Sequence, residues 1–235
     1  MKPSISIIIP AYNEEACLAS TVEMVLGVLA GRFSDCELLV FDDGSTDRTW
    51  EIVTGLAAKD PRIRPFQNPG NMGIGYSYRR GIELAAMSYV TWLGGNTVTL
   101  NRAEDLARVF DAVGQADIVI PYLTDDARSL ARRTLSRLYP STLNLLFGLK
   151  LRYYHCANIY RTEWIKQVRI TKDGTAGVAE ALIRSLKAGQ SWIEVGIPNR
   201  DVGGKSSQMR FSNIVCVIAS VLELWWDMQV RRQQR

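Results

Sequence analysis

The chain is poor in histidine and cysteine. Its 235 residues include one histidine, His155, and four cysteines, no two of which form a C-x-x-C pair. Cys17, Cys36, Cys156 and Cys216 fall in apolar runs, which predicts buried, reduced thiols in the cytosol. A lone histidine is more often a packed or hydrogen-bonded side chain than a base or ligand, so we assign His155 no catalytic role.

The chain also lacks a long hydrophobic run. The uncharged apolar segments 138–149 and 211–222 are shorter than the ~20 residues that a membrane-spanning helix needs. The apolar run near the N-terminus is too short for a signal peptide and is followed directly by Asn13-Glu14-Glu15. Repeats, low-complexity tracts and linkers are absent as well. We therefore expect one domain over residues 1–207 and a C-terminal segment over 208–235.

Charge is unevenly distributed along the chain. Residues 1–100 hold 8 Lys/Arg and 11 Asp/Glu, a net charge of −3, whereas residues 101–235 hold 20 and 13, a net charge of +7. A basic second half suits an anionic substrate or a membrane surface. The basic residues are not interleaved with aromatic ones as in single-strand binders, so we expect no nucleic-acid partner. Ordinary solvated helices would explain many of these charges as well.

Two predicted strands end in polar clusters. The run Cys36–Phe41 leads into Asp42, Asp43 and a Gly-Ser-Thr turn, and the run Ile5–Pro10 leads into Ala-Tyr-Asn-Glu-Glu. Ligands of open α/β sheets bind outside the carboxyl ends of the strands, so paired carboxylates there suit a hydroxyl-rich ligand or a cation. The alternative is a solvated turn in which Ser45 or Thr46 caps the next helix.

Strand and helix patterns alternate along the first half of the chain. Further strands are predicted at 63–66, 89–93 and 117–121, and helices near 15–30, 46–58, 74–87 and 101–113. This alternation predicts an α/β fold with a mostly parallel sheet and helices on both faces. After residue 121 the chain is more helical, and Trp192–Ile197 is predicted to return to the sheet.

Three motifs fall within residues 5–90: Pro10-Ala-Tyr-Asn-Glu14, Phe41-Asp-Asp-Gly-Ser-Thr-Asp47, and an N-x-G-x-G loop with its following helix at 71–81. In order and spacing they resemble the nucleotide-sugar-binding half of family-2 glycosyltransferases, which have the GT-A (Rossmann-like) fold. The resemblance implies a glycosyltransferase of hexosyltransferase type with a UDP- or GDP-sugar donor. Carried over to this sequence, it implies a donor site made by Pro10, Tyr12, Glu14, Asp42 and Asp43 around the nucleoside, with Gly73 and Arg80 on the diphosphate side.

The fourth predicted strand departs from the family's pattern. The family has an Asp-x-Asp motif there that holds a metal, whereas this chain has Gly94-Gly95-Asn96. Mg²⁺ and Mn²⁺ prefer oxygen ligands, usually carboxylates and substrate phosphates, and Asn96 offers one neutral carbonyl. Three alternatives remain: a metal held by Asn96, the diphosphate and water; a Lys or Arg in place of the metal; or a catalytically dead site. We expect catalysis, because the other motifs are intact.

The second half of the chain indicates the acceptor. Arg132-Arg-Thr-Leu-Ser136-Arg137 resembles the R-x-x-x-S-R segment of polyprenyl-phosphate glycosyltransferases of the dolichol-phosphate mannosyltransferase type. On a helix, Arg132 and Ser136 would share one face and could bind the acceptor phosphate, although an exposed basic helix is the alternative. Ile159-Tyr-Arg161 resembles the family's L-Y-R. The segment 152–156 departs from its acidic D-x-T-G pattern, so the sequence does not indicate the sugar.

Two further segments carry candidate catalytic residues. The segment 200–207 resembles the family's R-x-x-G-x-S loop, in which Arg200 and Lys205 could reach the donor diphosphate or the acceptor phosphate. Glu180 lies on the helix that carries an acidic or amide residue near the acceptor in the family. A phosphate acceptor is already ionised at neutral pH and needs little help from a base, whereas a hydroxyl acceptor would make Glu180 essential. An exposed turn and a helix-surface glutamate are the alternatives.

The C-terminal segment has an amphipathic helical pattern. Ile214, Ile218 and Trp225 lie on one side, with Asp227 and Arg231 on another, which suits a helix lying in a membrane interface. We therefore expect an inverting, peripheral enzyme on the cytoplasmic face of the membrane that transfers a sugar to a polyprenyl phosphate for cell-envelope glycans. The helix could instead dock on the protein core or on a second copy in a homo-oligomer. Transfer to a glycan or small-molecule hydroxyl, or a non-catalytic subunit that binds a partner, are the alternative functions.

Overall fold

The computed structural model describes residues 2–95, 103–124, 130–154, 156–171, 174–198 and 225–226, without the side chains of 130–137 and 175. Strands and helices alternate over the first half of this length, as the sequence predicts. Their bounds are β1 Ser4–Ala11, α1 Leu18–Leu29, β2 Asp35–Asp42, α2 Thr49–Ala57, β3 Ile63–Gln67, α3 Ile74–Leu84, β4 Tyr89–Trp92, α4 Ala103–Phe110, β5 Ile118–Thr124, α5 Leu130–Phe147, β6 Ile159–Arg161, α6 Thr162–Ile165, α7 Gly174–Lys187 and β7 Trp192–Pro198.

The strands form one seven-stranded sheet in the order β3-β2-β1-β4-β6-β5-β7. β3, β2, β1 and β4 run parallel, as do β5 and β7, whereas β6 runs antiparallel to both of its neighbours. The prediction of a mostly parallel sheet is therefore confirmed. The chain builds β2 and β3 on one side of β1 and then returns to build β4 on the other side. This reversal makes the gap between β1 and β4 a topological switch point, where ligands of such folds bind.

β1 lies between two apolar layers. Ile5, Ile7 and Ile9 pack in one layer with residues of α1, α2 and α4, and Ile8 packs in the other with residues of α3, α5 and α7. All four isoleucines are fully buried. A strand that is buried on both faces needs such a continuous apolar run, and helices cover both faces of the sheet as predicted.

Two helices begin later than their hydrophobic patterns suggested. α1 begins at Leu18 rather than near residue 15, and the N–H groups of Cys17 and Leu18 both donate to the Glu14 carbonyl in the turn before it. α2 begins at Thr49 rather than near residue 46, and the Asp47 carboxylate accepts the Thr49 N–H at 3.0 Å. At α2 a polar side chain thus satisfies one of the free N–H groups at the helix start, whereas α1 has no side-chain cap.

The sequence pattern did not indicate β6, which is three residues long. The predicted C-terminal helix lies outside the described residues apart from 225–226. Of these two, Trp225 packs against the apolar layer formed by α3, α5 and α7, and Trp226 is 61% exposed. The division at residue 207 stays a prediction. No helix in the described part of the chain combines the length and the apolar character that crossing a membrane requires.

Candidate active site

The loops that follow β1, β2 and β4 are held side by side at the switch point. Main-chain pairing continues past the strand ends, where the Asp43 N–H donates to the Ala11 carbonyl (2.8 Å) and the Gly95 N–H donates to the Pro10 carbonyl (3.1 Å). Thr21 Oγ1, on α1, donates to the Gly95 carbonyl at 2.8 Å. The polar clusters that the sequence predicted at separate strand ends therefore meet at one edge of the sheet.

The loops after β1 and β2 are linked by side chains. The Asn13 N–H donates to Ser45 Oγ (3.0 Å), and Asn13 Oδ1 accepts the Thr46 N–H (2.8 Å). Asn13 has a φ of +54°, a conformation that asparagine adopts more readily than most residues. The Glu14 N–H donates to Thr49 Oγ1 at 2.9 Å. Ser45 and Thr46 thus bind the neighbouring loop instead of capping α2.

Asp43 fixes the loop that leads into α3. Its carboxylate accepts hydrogen bonds from Asn68 Nδ2 (2.8 Å) and the Met72 N–H (2.9 Å) at Oδ1, and from the Gly73 N–H (2.8 Å) at Oδ2. Asn68 Nδ2 also donates to Ser77 Oγ at 2.8 Å. Asp43 is only 6% exposed, so burial of its charge depends on these donors. The carboxylate acts here as the anchor of residues 68–73.

Gly44 allows the turn after β2 to lie against this loop. Its φ is +74°, and a Cβ atom built on it would lie 2.7 Å from the Gly70 carbonyl carbon and 2.9 Å from the Asn71 nitrogen. Any other residue would meet both a strained backbone conformation and a clash with main-chain atoms. The Asp-Asp-Gly motif is therefore a packing requirement as well as a source of charge.

Asp42 and Tyr12 lie at neighbouring strand ends, because Ala11 pairs with Asp42 in the sheet register. Asp42 is fully buried, with Oδ1 accepting the Ser45 N–H (3.1 Å) and Oδ2 accepting Gln67 Nε2 (3.3 Å). A carboxylate has about four acceptor positions, so Asp42 can accept a ligand N–H if the exposed Gln67 side chain moves. Tyr12 is 44% exposed and offers an aromatic face. A planar ligand that carries N–H donors fits this combination.

Arg80, which the sequence placed on the diphosphate side, lies at the β2–β3 side of the same edge. Its guanidinium carbon is 5.8 Å from the ring centres of both Phe41 and Phe66. Its Nη1 donates to Asn68 Oδ1 at 3.4 Å. These contacts connect Arg80 to the loop anchored by Asp43. Gly73, the other residue predicted on the diphosphate side, donates its N–H to the Asp43 carboxylate.

Glu14 is the carboxylate that lies next to the loop after β4. A Cβ atom built on Gly95 would lie 3.3 Å from Glu14 Cγ. Glu14 Oε2 accepts a hydrogen bond from Cys17 Sγ at 2.9 Å. Burial, and then the hydrogen bond and negative charge of Glu14, raise the pKa of the Cys17 thiol to about 11. Cys17 is therefore protonated at neutral pH. Asn96 lies outside the described residues.

Glu180 is buried in α7 and is not the surface residue that the alternative interpretation required. Its Oε1 accepts hydrogen bonds from Arg184 Nε and Thr171 Oγ1, both at 2.9 Å, and its Oε2 accepts the Thr171 N–H at 2.7 Å. The residue is fully buried. The carboxylate is thus surrounded by donors from the protein itself, and it ties the segment before α7 to that helix.

The remaining candidates can be placed only in part. Arg132 and Ser136 fall within α5, so their spacing of four residues lies on a helix as predicted, but their side chains lie outside the description. Arg200 and Lys205 lie outside the described residues, after β7 ends at Pro198.

Residues 6–169 of the sequence match the family described as glycosyl transferase family 2. The chain belongs to this family. Glycosyltransferase AglD of Haloferax volcanii is 26% identical over 238 residues, which cover 97% of this chain and 38% of that protein. The undecaprenyl-phosphate 4-deoxy-4-formamido-L-arabinose transferase of Edwardsiella ictaluri is 28% identical over 172 residues, which cover 69% of this chain and 50% of that protein. The chain therefore spans half or less of the length of these relatives.

The family-2 fold is also found in solved structures. Glucosyl-3-phosphoglycerate synthase from Mycobacterium tuberculosis, in complex with Mn²⁺, uridine diphosphate and phosphoglyceric acid, superposes with a TM-score of 0.70 at 19% identity. The match covers 95% of this chain and 78% of that one. At this level of identity the likeness shows the GT-A fold and leaves the substrates open.

The family-2 metal site does not have its usual ligands in this chain. Mg²⁺ and Mn²⁺ require several oxygen ligands, of which one or two are normally carboxylates. The strand that should supply them ends in Gly94-Gly95-Asn96. Among the described residues, no group of three or more His, Cys, Asp or Glu side chains could hold a metal ion. The described residues at this edge therefore lack the carboxylate pair with which the family holds its divalent cation.

Several residues that build this family-2 site were not identified from the sequence. Asn68 contacts Asp43, Gln67 contacts Asp42, and Ser77 contacts Asn68. Gly44 and Asn13 allow the loops to meet. Asn68 lies only three residues before the recognised loop motif, and a polar residue directly after a strand was the available signal. The other contacts join positions about 30 residues apart, which spacing alone does not reveal.

Proposed function

We propose that this chain transfers a sugar from a UDP- or GDP-sugar to a polyprenyl phosphate at the cytoplasmic face of the membrane. The acceptor oxygen would attack the anomeric carbon while the bond to the nucleoside diphosphate breaks. A single displacement of this kind inverts the anomeric configuration. Family membership supports the glycosyl transfer, and the geometry of the site supports the choice of substrates.

The switch-point edge supports a nucleotide as the donor. Tyr12 provides an exposed ring at the strand end next to that of Asp42, whose carboxylate could accept an N–H from a nucleobase once the exposed Gln67 side chain moves aside. Asp43 holds the loop 68–73 in place, so it would shape the donor site without itself contacting the nucleotide. In this proposal Pro10 and Glu14 complete the nucleoside side. Gly73 and Arg80 lie where the loop and α3 would approach the diphosphate.

The contacts of Glu180 carry the choice of acceptor. A hydroxyl acceptor must lose a proton as it attacks, which requires a base within hydrogen-bond reach. Glu180, the candidate base, is fully buried and accepts hydrogen bonds from Thr171 and Arg184. A phosphate acceptor is already ionised near neutral pH, because its second pKa is about 6, and needs no such base. The geometry therefore favours a phosphate over a hydroxyl.

A lipid-linked phosphate has further support. The Edwardsiella ictaluri relative is named for an undecaprenyl-phosphate acceptor. We propose that Arg132 and Ser136, which fall on one helix, bind the acceptor phosphate together with Arg200, and that Lys205 stabilises the leaving diphosphate. Leu138 and Leu145 of α5 are 62% and 84% exposed, and Trp226 is 61% exposed. Exposed apolar side chains near basic residues suit a peripheral contact with a membrane surface.

A transfer assay tests this proposal. The protein is incubated with radiolabelled UDP- or GDP-sugars and undecaprenyl phosphate in detergent, and lipid-linked label is extracted and counted. Arg132→Ala should reduce transfer by about tenfold or more and leave UDP or GDP binding unchanged, because an arginine bound to phosphate contributes roughly 1.5–3 kcal/mol. Arg133→Ala, one position away on a different helix face, is the matched control and should have a much smaller effect.

The alternatives give different results in the same assay. Unchanged transfer in Arg132→Ala would refute the proposal that Arg132 binds the acceptor phosphate. Transfer to free sugars or glycans, with none to undecaprenyl phosphate, would show a hydroxyl acceptor. Donor binding without turnover on any acceptor would indicate a non-catalytic subunit.

A further inference from the structure

We infer that this chain binds its nucleotide without a divalent cation, unlike the Mn²⁺-bound structure that it resembles. The inference rests on the proposed function, because it concerns the donor site described above. It depends on three features: the fixed position of the loop after β4, the carboxylates at the same edge that already accept hydrogen bonds from the protein, and the basic second half of the chain.

The position of the loop after β4 is set by hydrogen bonds on either side. The Leu93 N–H donates to the Ile8 carbonyl at 2.8 Å, and the Gly95 N–H donates to the Pro10 carbonyl at 3.1 Å. Thr21 Oγ1 holds the Gly95 carbonyl at 2.8 Å. This register places Gly94 and Gly95 at the strand end beside β1, where the family's metal-binding motif belongs. The missing carboxylates are therefore a property of the site and not an error of alignment.

The packing around Gly95 leaves little room for a larger side chain. A Cβ atom there would lie 3.2 Å from both the Ala11 Cβ and the Pro10 carbonyl oxygen, and 3.3 Å from Glu14 Cγ. These are closer than most contacts that a Cβ atom makes in proteins, so its neighbours would have to shift. Gly95 is the middle position of the motif, so this packing fixes the course of the loop between the two positions, 94 and 96, where the family has its carboxylates. The loop is thus packed as a glycine turn against β1.

The other carboxylates at this edge have donors from the protein. Asp43 accepts three hydrogen bonds and Asp42 accepts two. Asp47 accepts the N–H groups of Thr49 and Glu15, at 3.0 and 3.1 Å. Removing Asp43 or Asp42 from its buried or partly buried donors to coordinate a metal costs about 1–3 kcal/mol for each group left without a partner, and less at Asp47, whose Glu15 N–H donor is exposed. These side chains are therefore poor substitutes for the missing motif.

Glu14 remains as the acidic side chain nearest to Gly95, and its contact in the structure is a thiol. One carboxylate and the neutral carbonyl of Asn96 form a weak set of ligands for a cation that requires six oxygen atoms in ordered geometry. The charge of the nucleoside diphosphate must then be balanced by basic side chains. The net charge of +7 over residues 101–235 supplies them, and Arg200 and Lys205 are the candidates from the sequence.

The test is calorimetric titration of the full chain with UDP and with GDP, in 1 mM EDTA and separately in Mn²⁺ and in Mg²⁺. For the nucleotide that binds, we expect the Kd in EDTA and in either metal to agree within about twofold, because no ligand set couples the two. Two variants serve as positive controls for metal-dependent nucleotide binding. Asn96→Asp restores one carboxylate, and Gly94→Asp/Asn96→Asp restores the family's motif, with folding of each checked by its thermal melt.

The restored motif should bind the nucleotide about tenfold more tightly in Mn²⁺ than in EDTA, since two carboxylates and a diphosphate form an ordinary metal site. A wild-type Kd that tightens tenfold or more in either metal would overturn the inference while leaving the proposed donor intact. Failure of the wild-type chain to bind either nucleotide under any condition would overturn the proposed function, and this inference with it. Titration of the wild-type chain with Mn²⁺, without nucleotide and then with saturating UDP or GDP, should show no Mn²⁺ binding that strengthens when the nucleotide is present.

Discussion

Replacement of Asp43 by asparagine tests whether this carboxylate holds the loop before α3. The native carboxylate accepts three hydrogen bonds, two at Oδ1 and one at Oδ2. Asparagine would keep an oxygen for Asn68 and Met72 but would place an amide N–H₂ against the Gly73 N–H. One charge-assisted hydrogen bond is lost, each such bond being worth roughly 1.5–3 kcal/mol, and the other two weaken to neutral ones. We therefore expect Asp43→Asn to lower the free energy of unfolding by about 2–4 kcal/mol.

Urea denaturation followed by circular dichroism measures this change as a shift in the midpoint. Asp60→Asn is the control, since it makes the same chemical change at a turn far from the site. Asp60 accepts hydrogen bonds from the Arg62 N–H, Nε and Nη2, but the side chains of Asp60 and Arg62 are 22% and 44% exposed, so Asp60→Asn should cost about 1 kcal/mol, less than Asp43→Asn. Equal midpoints for the two variants would refute the argument that Asp43 anchors the loop. Calorimetry with UDP or GDP should also show weaker binding only for Asp43→Asn.

Three other predictions follow from the site. Gly44→Ala should cost about 1–3 kcal/mol in the same denaturation assay because of its positive φ and the nearby Gly70 main chain, whereas Gly55→Ala, in α2 with open space around it, should stabilise by about 0.5–1 kcal/mol. Alkylation of Cys17, followed by peptide mass spectrometry, should be slow at neutral pH and accelerate towards its pKa of about 11, and Glu14→Gln should lower that pKa and speed the reaction. Glu180→Gln should destabilise the fold yet slow transfer to polyprenyl phosphate by less than about tenfold, because loss of a true general base costs about 10²–10⁴.

The sheet could be predicted because most of its strands are continuous apolar runs between polar turns. β1, with isoleucines facing both layers, is the clearest case, and its bounds differ from the prediction by one residue at each end. β6 could not be found in this way. It is three residues long and gains its hydrogen bonds from β4 and β5, so its strand character depends on contacts that are distant in sequence. The cysteines were only partly predictable, since Cys36 and Cys156 are buried free thiols but Cys17 is partly exposed.

The location of the candidate site could be predicted from the sequence, but the hydrogen-bond partners and the roles of its individual residues could not. Strand ends followed by Asp42 and Glu14 indicated the correct edge of the sheet, because carboxyl ends of parallel strands meet at one edge. The sequence could not show that Asp43 would be surrounded by N–H groups from residues 72 and 73. Such a contact joins two loops about 30 residues apart. The same holds for Glu180, whose partners Thr171 and Arg184 give it a structural role that a helix pattern does not predict.

Because Asp42 and Asp43 accept hydrogen bonds from the protein itself, mutations at this edge can change both stability and ligand binding. If Asp43 contacted only the nucleotide, its removal would weaken donor binding and leave the free energy of unfolding unchanged. The geometry predicts that stability falls as well, because in Asp43→Asn the Gly73 N–H loses its acceptor and the hydrogen bonds from Asn68 and Met72 weaken, whether or not a nucleotide is present. A loss of activity in Asp43→Asn therefore does not identify a catalytic residue unless stability is measured in parallel. Asp42 should separate the two effects better, since an asparagine there would lose a 3.3 Å contact with the exposed Gln67 while changing the group offered to a nucleobase.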